Sequence, residues 1–131
     1  MAQDLHVVGA VIVREGLVLC AQRGADRDLP GLWEFPGGKI ELGESPEVAL
    51  EREIHEELSC TIHVGKEVTT TTHEYDFSVV TLTTFYCQVV SGTPRMSVHA
   101  SLAWINPAEL HTLDWSPADR PTVTHLQRTL N

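Results

Sequence analysis

The sequence is poor in the residue types that mark several classes of protein. Nine Lys and Arg residues stand against eighteen Asp and Glu, giving a formal net charge of −9. This charge argues against a non-specific binder of nucleic-acid polymers or membrane surfaces, which would require a basic face. No apolar run reaches the length of a membrane-spanning helix, and the N-terminus MAQDLHVV has no basic segment of the secretory type. We expect neither a nucleic-acid polymer nor a membrane as a partner.

Cysteine is also scarce. Cys20, Cys60 and Cys87 are an odd number without metal-ligand spacing. This pattern favours small buried side chains in a reducing compartment, so the expected location is the cytoplasm. The seven His residues are scattered, and the sequence shows no Ser/His/Asp or Cys/His grouping typical of nucleophilic catalysis.

The order of predicted elements indicates the fold. Without repeats or a low-complexity linker, residues 1–131 are expected to form a single domain. Segments rich in Val, Ile, Thr and aromatic residues predict strands over 5–13, 17–21, 32–35, 61–75, 78–90 and 102–105. Start signals predict helices after Ser45, over 106–110 and over 119–129, with Val123, Leu126 and Leu130 facing inward. Strands on both sides of a central helix favour an α/β fold, an α/β/α sandwich around a mixed β-sheet.

The most informative segment covers residues 37–60, GGKIELGESPEVALEREIHEELSC. Glu53, Glu56 and Glu57 share one helical face, where like charges destabilise a bare helix by about a few tenths of a kcal/mol per pair. A divalent cation would remove that cost, and Mg²⁺ prefers carboxylate oxygens. The alternative is a solvated acidic face. The neighbouring glycines and Lys39 favour the metal.

The opposite face of the same helix is apolar. Leu50, Ile54 and Leu58 recur at i, i+4 and i+8. This stripe is expected to fix the helix on the core and to leave the glutamates for a cleft. Ser45 is the predicted N-cap and Pro46 the first helical residue.

The segment resembles the signature of the Nudix hydrolases, Gly-x5-Glu-x7-Arg-Glu-U-x-Glu-Glu-x-Gly-U, in which U is a bulky apolar residue. The matching positions are Gly38, Glu44, Arg52, Glu53, Ile54, Glu56 and Glu57. Ser59 stands where the signature has its last glycine, and Cys60 follows at the last U. Because that glycine ends the helix with positive φ, we expect the serine to alter the helix exit without disturbing the carboxylates.

The resemblance implies a Nudix-like α/β/α sandwich and hydrolysis of a nucleoside diphosphate linked to another moiety. It also implies Mg²⁺ as cofactor, with Mn²⁺ able to substitute. The implied metal ligands are Glu53, Glu56, Glu57 and the Gly37 carbonyl, and Lys39 contacts phosphate. Glu53 is either a ligand or the general base. Arg52 is the second residue of the catalytic group. It is interpreted as a residue that orients the carboxylates, and it is expected to pair with Glu56 at i+4.

Beyond the signature, residues 21–23, 31–39 and 114–119 resemble the MutT-type nucleoside triphosphate pyrophosphohydrolases and their CTP-cleaving relatives. In that subgroup Arg23, Phe35 and Asp119 are at positions that line the base pocket. The alternatives are a surface Arg23, a Phe35 that only packs in the core like Trp33, and an Asp119 that only caps a helix. An ionised carboxylate accepts hydrogen bonds only, so Asp119 suits the donor edges of cytosine, guanine and oxidised guanine.

One departure from the subgroup concerns the metal. Its members carry another acidic residue just before the strand predicted at 102–105, and by spacing Val98 falls there with His99 beside it. Either His99, Glu74 or Asp76 substitutes for that residue, or fewer metal ions are bound.

The leading hypothesis is a Mg²⁺-dependent pyrophosphohydrolase that sanitises the nucleotide pool, acting on oxidised guanine nucleotides or on CTP, dCTP or 5-methyl-dCTP. Hydrolysis of ADP-ribose or a nucleotide sugar is the alternative enzymatic interpretation. A catalytically weak nucleotide-binding module is the alternative from another class, motivated by Val98 and Ser59. The expected partner is the nucleotide substrate, with the protein a monomer or a homodimer.

Overall fold

The computed structural model describes residues 3–130, which form a mixed sheet covered by helices. The strands are β1 Gln3–Arg14, β2 Leu17–Gln22, β3 Trp33–Glu34, β4 Gly37–Lys39, β5 Thr61–Glu74, β6 Ser78–Ser91 and β7 Ser101–Ile105. The α-helices are α1 Pro46–Leu58 and α2 Arg120–Thr129, and two 3₁₀ helices cover Pro107–Thr112 and Pro117–Asp119. Among these residues no helix is both long and apolar enough to cross a membrane.

The central strand β1 organises the sheet. The strand order is β3-β2-β1-β6-β5, with β4 paired to β1 and β7 paired to β2. β1 and β6 run parallel, and the other pairs are antiparallel. Residues 8–12 of β1 are all buried, as in a strand that is covered on both faces.

The core has two parts, one on each face of the sheet. Side chains alternate along β1, so Ala10 and Ile12 pack in the same cluster as Ile54 of α1, while Val11 packs in the cluster that contains Leu126 of α2. The predicted α/β/α sandwich with a central mixed sheet is therefore confirmed.

Helix α1 begins where the sequence predicts. The Ser45 hydroxyl accepts a hydrogen bond from the Val48 N–H at 3.2 Å, and Pro46 is the first helical residue. Leu50, Ile54 and Leu58 are fully buried, which confirms the apolar stripe.

The expectation for the end of α1 is wrong. Ser59 adopts the left-handed conformation, φ 56° and ψ 35°, and its N–H donates to the His55 carbonyl. The serine thus takes the backbone conformation that favours glycine, and it leaves the helix exit unaltered.

The glycine pair, for which the sequence predicts no strand, forms the short strand β4, with Gly37 opposite Gly9 and Gly38 opposite Val8. One further expectation needs correction. Leu130 is 40% exposed and does not face inward, whereas Val123 and Leu126 are buried as predicted. All three cysteines are buried and free.

Candidate active site

A cavity of about 470 Å³ opens beside β4, a size typical of sites for small ligands. One end, next to α1, is lined by Gly37, Gly38 and Lys39. The other end is lined by Phe35 and Asp119. We call these the metal end and the base end, after the roles that the sequence predicts for their residues.

The three helix glutamates differ in exposure. The side chains of Glu53 and Glu57 are 15% and 16% exposed, whereas that of Glu56 is 59% exposed. Burial raises the pKa of Glu57 to about 7. Its Oε2 is buried without a hydrogen-bond partner. Glu57 therefore has one carboxylate oxygen that no group among the described residues satisfies.

Arg52 organises the carboxylates around it. Its guanidinium binds Glu44 through two hydrogen bonds of 2.7 and 2.9 Å and donates to Glu53 Oε1 at 3.0 Å. Hydrogen bonding from Arg52 lowers the pKa of Glu44 to about 2. The pairing predicted with Glu56 is the longest of these contacts, at 3.4 Å. Arg52 also donates to the Lys39 carbonyl at 3.1 Å, which connects α1 to β4.

The two glycines of β4 are needed for different reasons. A Cβ atom on Gly38 would lie 2.4 Å from the Glu53 carboxylate, so this glycine leaves space for the catalytic candidate. A Cβ atom on Gly37 would lie 1.9 Å from the Val8 carbonyl oxygen of β1. Gly37 is therefore required by the sheet, and Gly38 by the position of Glu53.

The donor atoms at the metal end fit a divalent cation. Glu53 and Glu57 offer hard carboxylate oxygens, one of them unpartnered. Within residues 3–130, no group of three or more His, Cys, Asp and Glu side chains is arranged to hold a metal ion. Completing a coordination shell therefore requires backbone, water or phosphate oxygens, which Mg²⁺ commonly uses.

His99 is the residue found near the predicted late acidic position. Val98 is 47% exposed, whereas the His99 side chain is only 1% exposed. His99 Nε2 lies 3.0 Å from Glu34 Oε2 and 4.0 Å from Glu57 Oε2. Glu74 and Asp76, the other candidates, are exposed residues near the tip of the β5–β6 hairpin.

Glu34 is a site residue that the sequence analysis missed. Its Oε1 accepts a hydrogen bond of 2.6 Å from Arg23, which lines the cavity and is only 15% exposed, so the surface interpretation of Arg23 is wrong. Burial favours a raised pKa for Glu34, but hydrogen bonds with His99 and Arg23 outweigh it and hold the pKa below its usual range. An acidic residue within an apolar strand beside a glycine pair is the signal that could have identified Glu34.

The base end is built around Phe35 and Asp119. The ring of Phe35 stacks on Trp115 at 4.7 Å and also lines the cavity. Asp119 Oδ1 accepts a hydrogen bond from the Phe35 N–H at 3.0 Å, and the side chain does not cap α2, so the helix-cap interpretation is wrong. Burial, with the charge of Glu34, raises the pKa of Asp119 well above its usual range. Trp33 packs against the core, as expected.

The β5–β6 hairpin adds an aromatic wall that was not predicted. Tyr75 and Phe77 stack with ring centroids 5.0 Å apart, and both line the cavity. The Tyr75 hydroxyl accepts a hydrogen bond of 2.9 Å from the Ala118 N–H, beside Asp119. The aromatic residues on either side of Asp76, at the junction of the two predicted strands, were the available signal.

Comparisons with known proteins agree with this layout. The NUDIX domain family profile matches residues 7–125. The CTP pyrophosphohydrolase of Escherichia coli (strain K12) is 39% identical over 117 residues, covering 89% of this chain and 87% of that protein. The 8-oxo-dGTP diphosphatase of the same strain is 30% identical over 121 residues, covering 92% and 94%. A solution NMR structure of the DNA mismatch repair protein MutT from methicillin-resistant Staphylococcus aureus 252 is 45% identical, with a TM-score of 0.80 and 98% of each chain covered.

Proposed function

The chain belongs to the Nudix hydrolase family, and we propose that it is a Mg²⁺-dependent nucleoside triphosphate pyrophosphohydrolase. The reaction converts a triphosphate and water into the monophosphate and pyrophosphate, and Mn²⁺ is expected to support it. The proposed substrates are 8-oxo-dGTP and the cytosine nucleotides CTP, dCTP and 5-methyl-dCTP, in a role that sanitises the nucleotide pool. The similar proteins named after CTP and 8-oxo-dGTP support this choice.

The observation that carries the proposal is the continuity of the cavity. One space is lined by Lys39 and the glycine pair beside α1 and also by Phe35 and Asp119. A nucleotide bound there can place its phosphates beside the carboxylates and its base beside Asp119.

Asp119 supports a base with donor groups. Oδ1 is already engaged by the Phe35 N–H, which leaves the other oxygen for the ligand. When ionised, that oxygen accepts from the cytosine amino group or from guanine N1–H and its 2-amino group. Oxidised guanine adds an N7–H donor. Phe35 and the Tyr75–Phe77 wall offer aromatic surface for the flat base.

At the metal end each side chain has a separate task. Arg52 holds Glu53 and Glu44 in place through hydrogen bonds. Lys39 provides a positive charge for the phosphate chain. Glu53, Glu56, Glu57 and the Gly37 carbonyl are the proposed ligands of the divalent cation, with Glu53 as either ligand or general base. When bound, the cation would neutralise the phosphates and acidify the attacking water.

The test is pyrophosphate release with Mg²⁺ from CTP, dCTP, 5-methyl-dCTP, dGTP, 8-oxo-dGTP, ATP and ADP-ribose. We expect turnover of a cytosine or oxidised guanine nucleotide. Leaving a buried donor of the base without its partner costs about 1–3 kcal/mol, so Asp119→Ala should lower kcat/KM roughly five- to hundredfold for that base. Turnover of ADP-ribose alone would contradict the proposed substrate, and nucleotide binding without any turnover would favour the binding module.

A further inference from the structure

A buried imidazole stands between two carboxylates of the site. His99 Nε2 is 3.0 Å from Glu34 Oε2 and 4.0 Å from Glu57 Oε2. Neither His99 Nδ1 nor Glu57 Oε2 has a hydrogen-bond partner within the part of the chain that the structure describes. The polar contacts of His99 are therefore made through Nε2, on the side that faces the carboxylates.

The two distances give the carboxylates different roles. At 3.0 Å the Nε2–H donates a hydrogen bond to Glu34, which is held from its other oxygen by Arg23. At 4.0 Å Glu57 Oε2 is too far for a hydrogen bond, so it lies beside the imidazole without accepting a proton from it. The imidazole, fixed by Glu34, therefore lies against Glu57 while Glu57 Oε2 stays without a hydrogen-bond partner among the described residues.

We propose that His99 is a positioning residue that holds the Glu57 carboxylate in place for the divalent cation, anchored by Glu34. The inference rests on the proposed function insofar as Glu57 is taken as a metal ligand. It also explains how the site manages with an exposed Val98 at the position where the subgroup has an acidic residue. Groups that orient metal ligands commonly change metal affinity ten- to hundredfold when removed.

Two amide substitutions of His99 test whether the position of its hydrogen-bond donor matters, apart from the loss of the imidazole ring. In His99→Gln the amide nitrogen reaches the place of Nε2, whereas in His99→Asn it reaches the place of Nδ1. We expect His99→Gln to bind Mn²⁺ within about threefold of the wild type and His99→Asn to bind it at least roughly tenfold more weakly. The dissociation constant is measured from the electron paramagnetic resonance signal of free Mn²⁺, without nucleotide.

Controls test whether each variant is folded and whether the effect is specific to His99. His111→Asn changes an exposed histidine that contacts Gln127 outside the cavity, and it should bind Mn²⁺ like the wild type. Thermal unfolding of each variant in a chelator shows whether it is folded. If His99→Asn does not fold, Glu34→Gln provides the second test. Glutamine has a single acceptor oxygen and cannot accept from both Arg23 and the imidazole, so the anchor of His99 is weakened and Mn²⁺ binding should again weaken roughly tenfold.

The outcomes separate this inference from the proposed function. Wild-type Mn²⁺ affinity in folded His99→Asn, or in Glu34→Gln, would overturn the positioning role. Equal losses in His99→Asn and His99→Gln would assign His99 to packing alone. A wild type that binds no Mn²⁺ would also overturn the inference. In contrast, a wild type that binds Mn²⁺ but hydrolyses no triphosphate would contradict the proposed function and leave the positioning result standing.

Discussion

The metal end and the base end of the cavity are assembled in different ways. The carboxylates of the metal end, with Lys39 and Arg52, come from one segment, β4 and α1, in which helical spacing sets the relative positions of the glutamates. The base end combines Arg23, Phe35, Tyr75 and Asp119 from four separate parts of the chain. The candidate chemical groups are therefore encoded locally, whereas the base end and the Glu34–His99 contact beside Glu57 depend on the whole fold.

The two ends of the cavity also differ in the pKa values of their carboxyl groups. At the metal end Glu44 and Arg52 keep each other ionised, with the pKa of Glu44 lowered to about 2. At the base end burial raises the pKa of Asp119, which accepts a hydrogen bond from the Phe35 N–H. A network of fixed charges suits an anionic phosphate chain, whereas a single buried carboxyl suits a neutral base.

The largest expected effect comes from removing the candidate general base. Glu53→Gln keeps the volume of the side chain and its contact with Arg52 but cannot take a proton. We expect kcat to fall by about 10²- to 10⁴-fold on the preferred nucleotide. Initial rates of pyrophosphate release at saturating Mg²⁺ measure the change.

Glu47→Gln, in the first turn of α1, is the matched control and should retain the wild-type rate. Measuring Mn²⁺ affinity on the same samples separates the two roles of Glu53. Unchanged affinity with a low rate favours the base, and weakened affinity favours the ligand. If Glu53→Gln retained more than a tenth of wild-type activity, Glu53 would not be a catalytic residue.

Substitutions of the two glycines of β4 test the metal end and should have effects of intermediate size. In Gly38→Ala the methyl group meets the flexible end of Glu53, so we expect a roughly tenfold or greater loss of kcat with little loss of stability. In Gly37→Ala the methyl group meets the backbone of β1. That variant should lose about 1–3 kcal/mol or more of unfolding free energy. Rates and urea unfolding on both variants measure the contrast, and the reverse pattern would contradict it.

The difference between the two ends also explains how much of the site the sequence predicts. The apolar stripe of Leu50, Ile54 and Leu58 predicts α1 and its buried face, because a period of 3.6 residues is a local property. Strand β4 was missed because glycine is rare in strands, and its pairing with β1 depends on the fold.

The contact between Glu34 and His99 could not be predicted because it is made by the sheet. Ala21 of β2 pairs with Glu34 on one side and with Leu102 of β7 on the other. The Ala100 N–H donates to the Gln22 carbonyl at 2.9 Å, which brings the segment before β7 to the same edge. No local spacing relates residues 34 and 99, so only the strand order brings them together.

At the base end, Asp119→Asn should change how stability depends on pH. Folded Asp119 binds its proton more tightly than unfolded Asp119, since its pKa is raised. The resulting stability is present at acidic pH and is lost as the pH rises from about 4, the unfolded value, through the raised folded pKa. The asparagine does not titrate, so the variant should gain stability relative to the wild type as the pH increases.

Urea unfolding at several pH values between 4 and 8, in a chelator, measures this difference. Asp114→Asn is the control because Asp114 is exposed and lies shortly before Asp119 in the chain. A constant difference between wild type and Asp119→Asn across this range would show that Asp119 is not destabilised by burial, and the contrast in charge between the two ends would fail.

The smallest expected effect concerns the end of α1. Ser59 has φ 56°, a conformation that costs a residue with a Cβ about 1–2 kcal/mol and glycine almost nothing. Glycine also loses more chain entropy on folding, so Ser59→Gly should stabilise the protein by a net of about 0.5–1 kcal/mol. Urea unfolding measures the gain, and Ser59→Ala, which keeps the Cβ, should show none. The rate of hydrolysis should stay within about twofold of the wild type, because Arg52 and His99 fix the carboxylates independently of the helix end. A larger change in rate would mean that the cap sets the position of Glu57, two residues away, and that the metal end is less self-contained than its local encoding indicates.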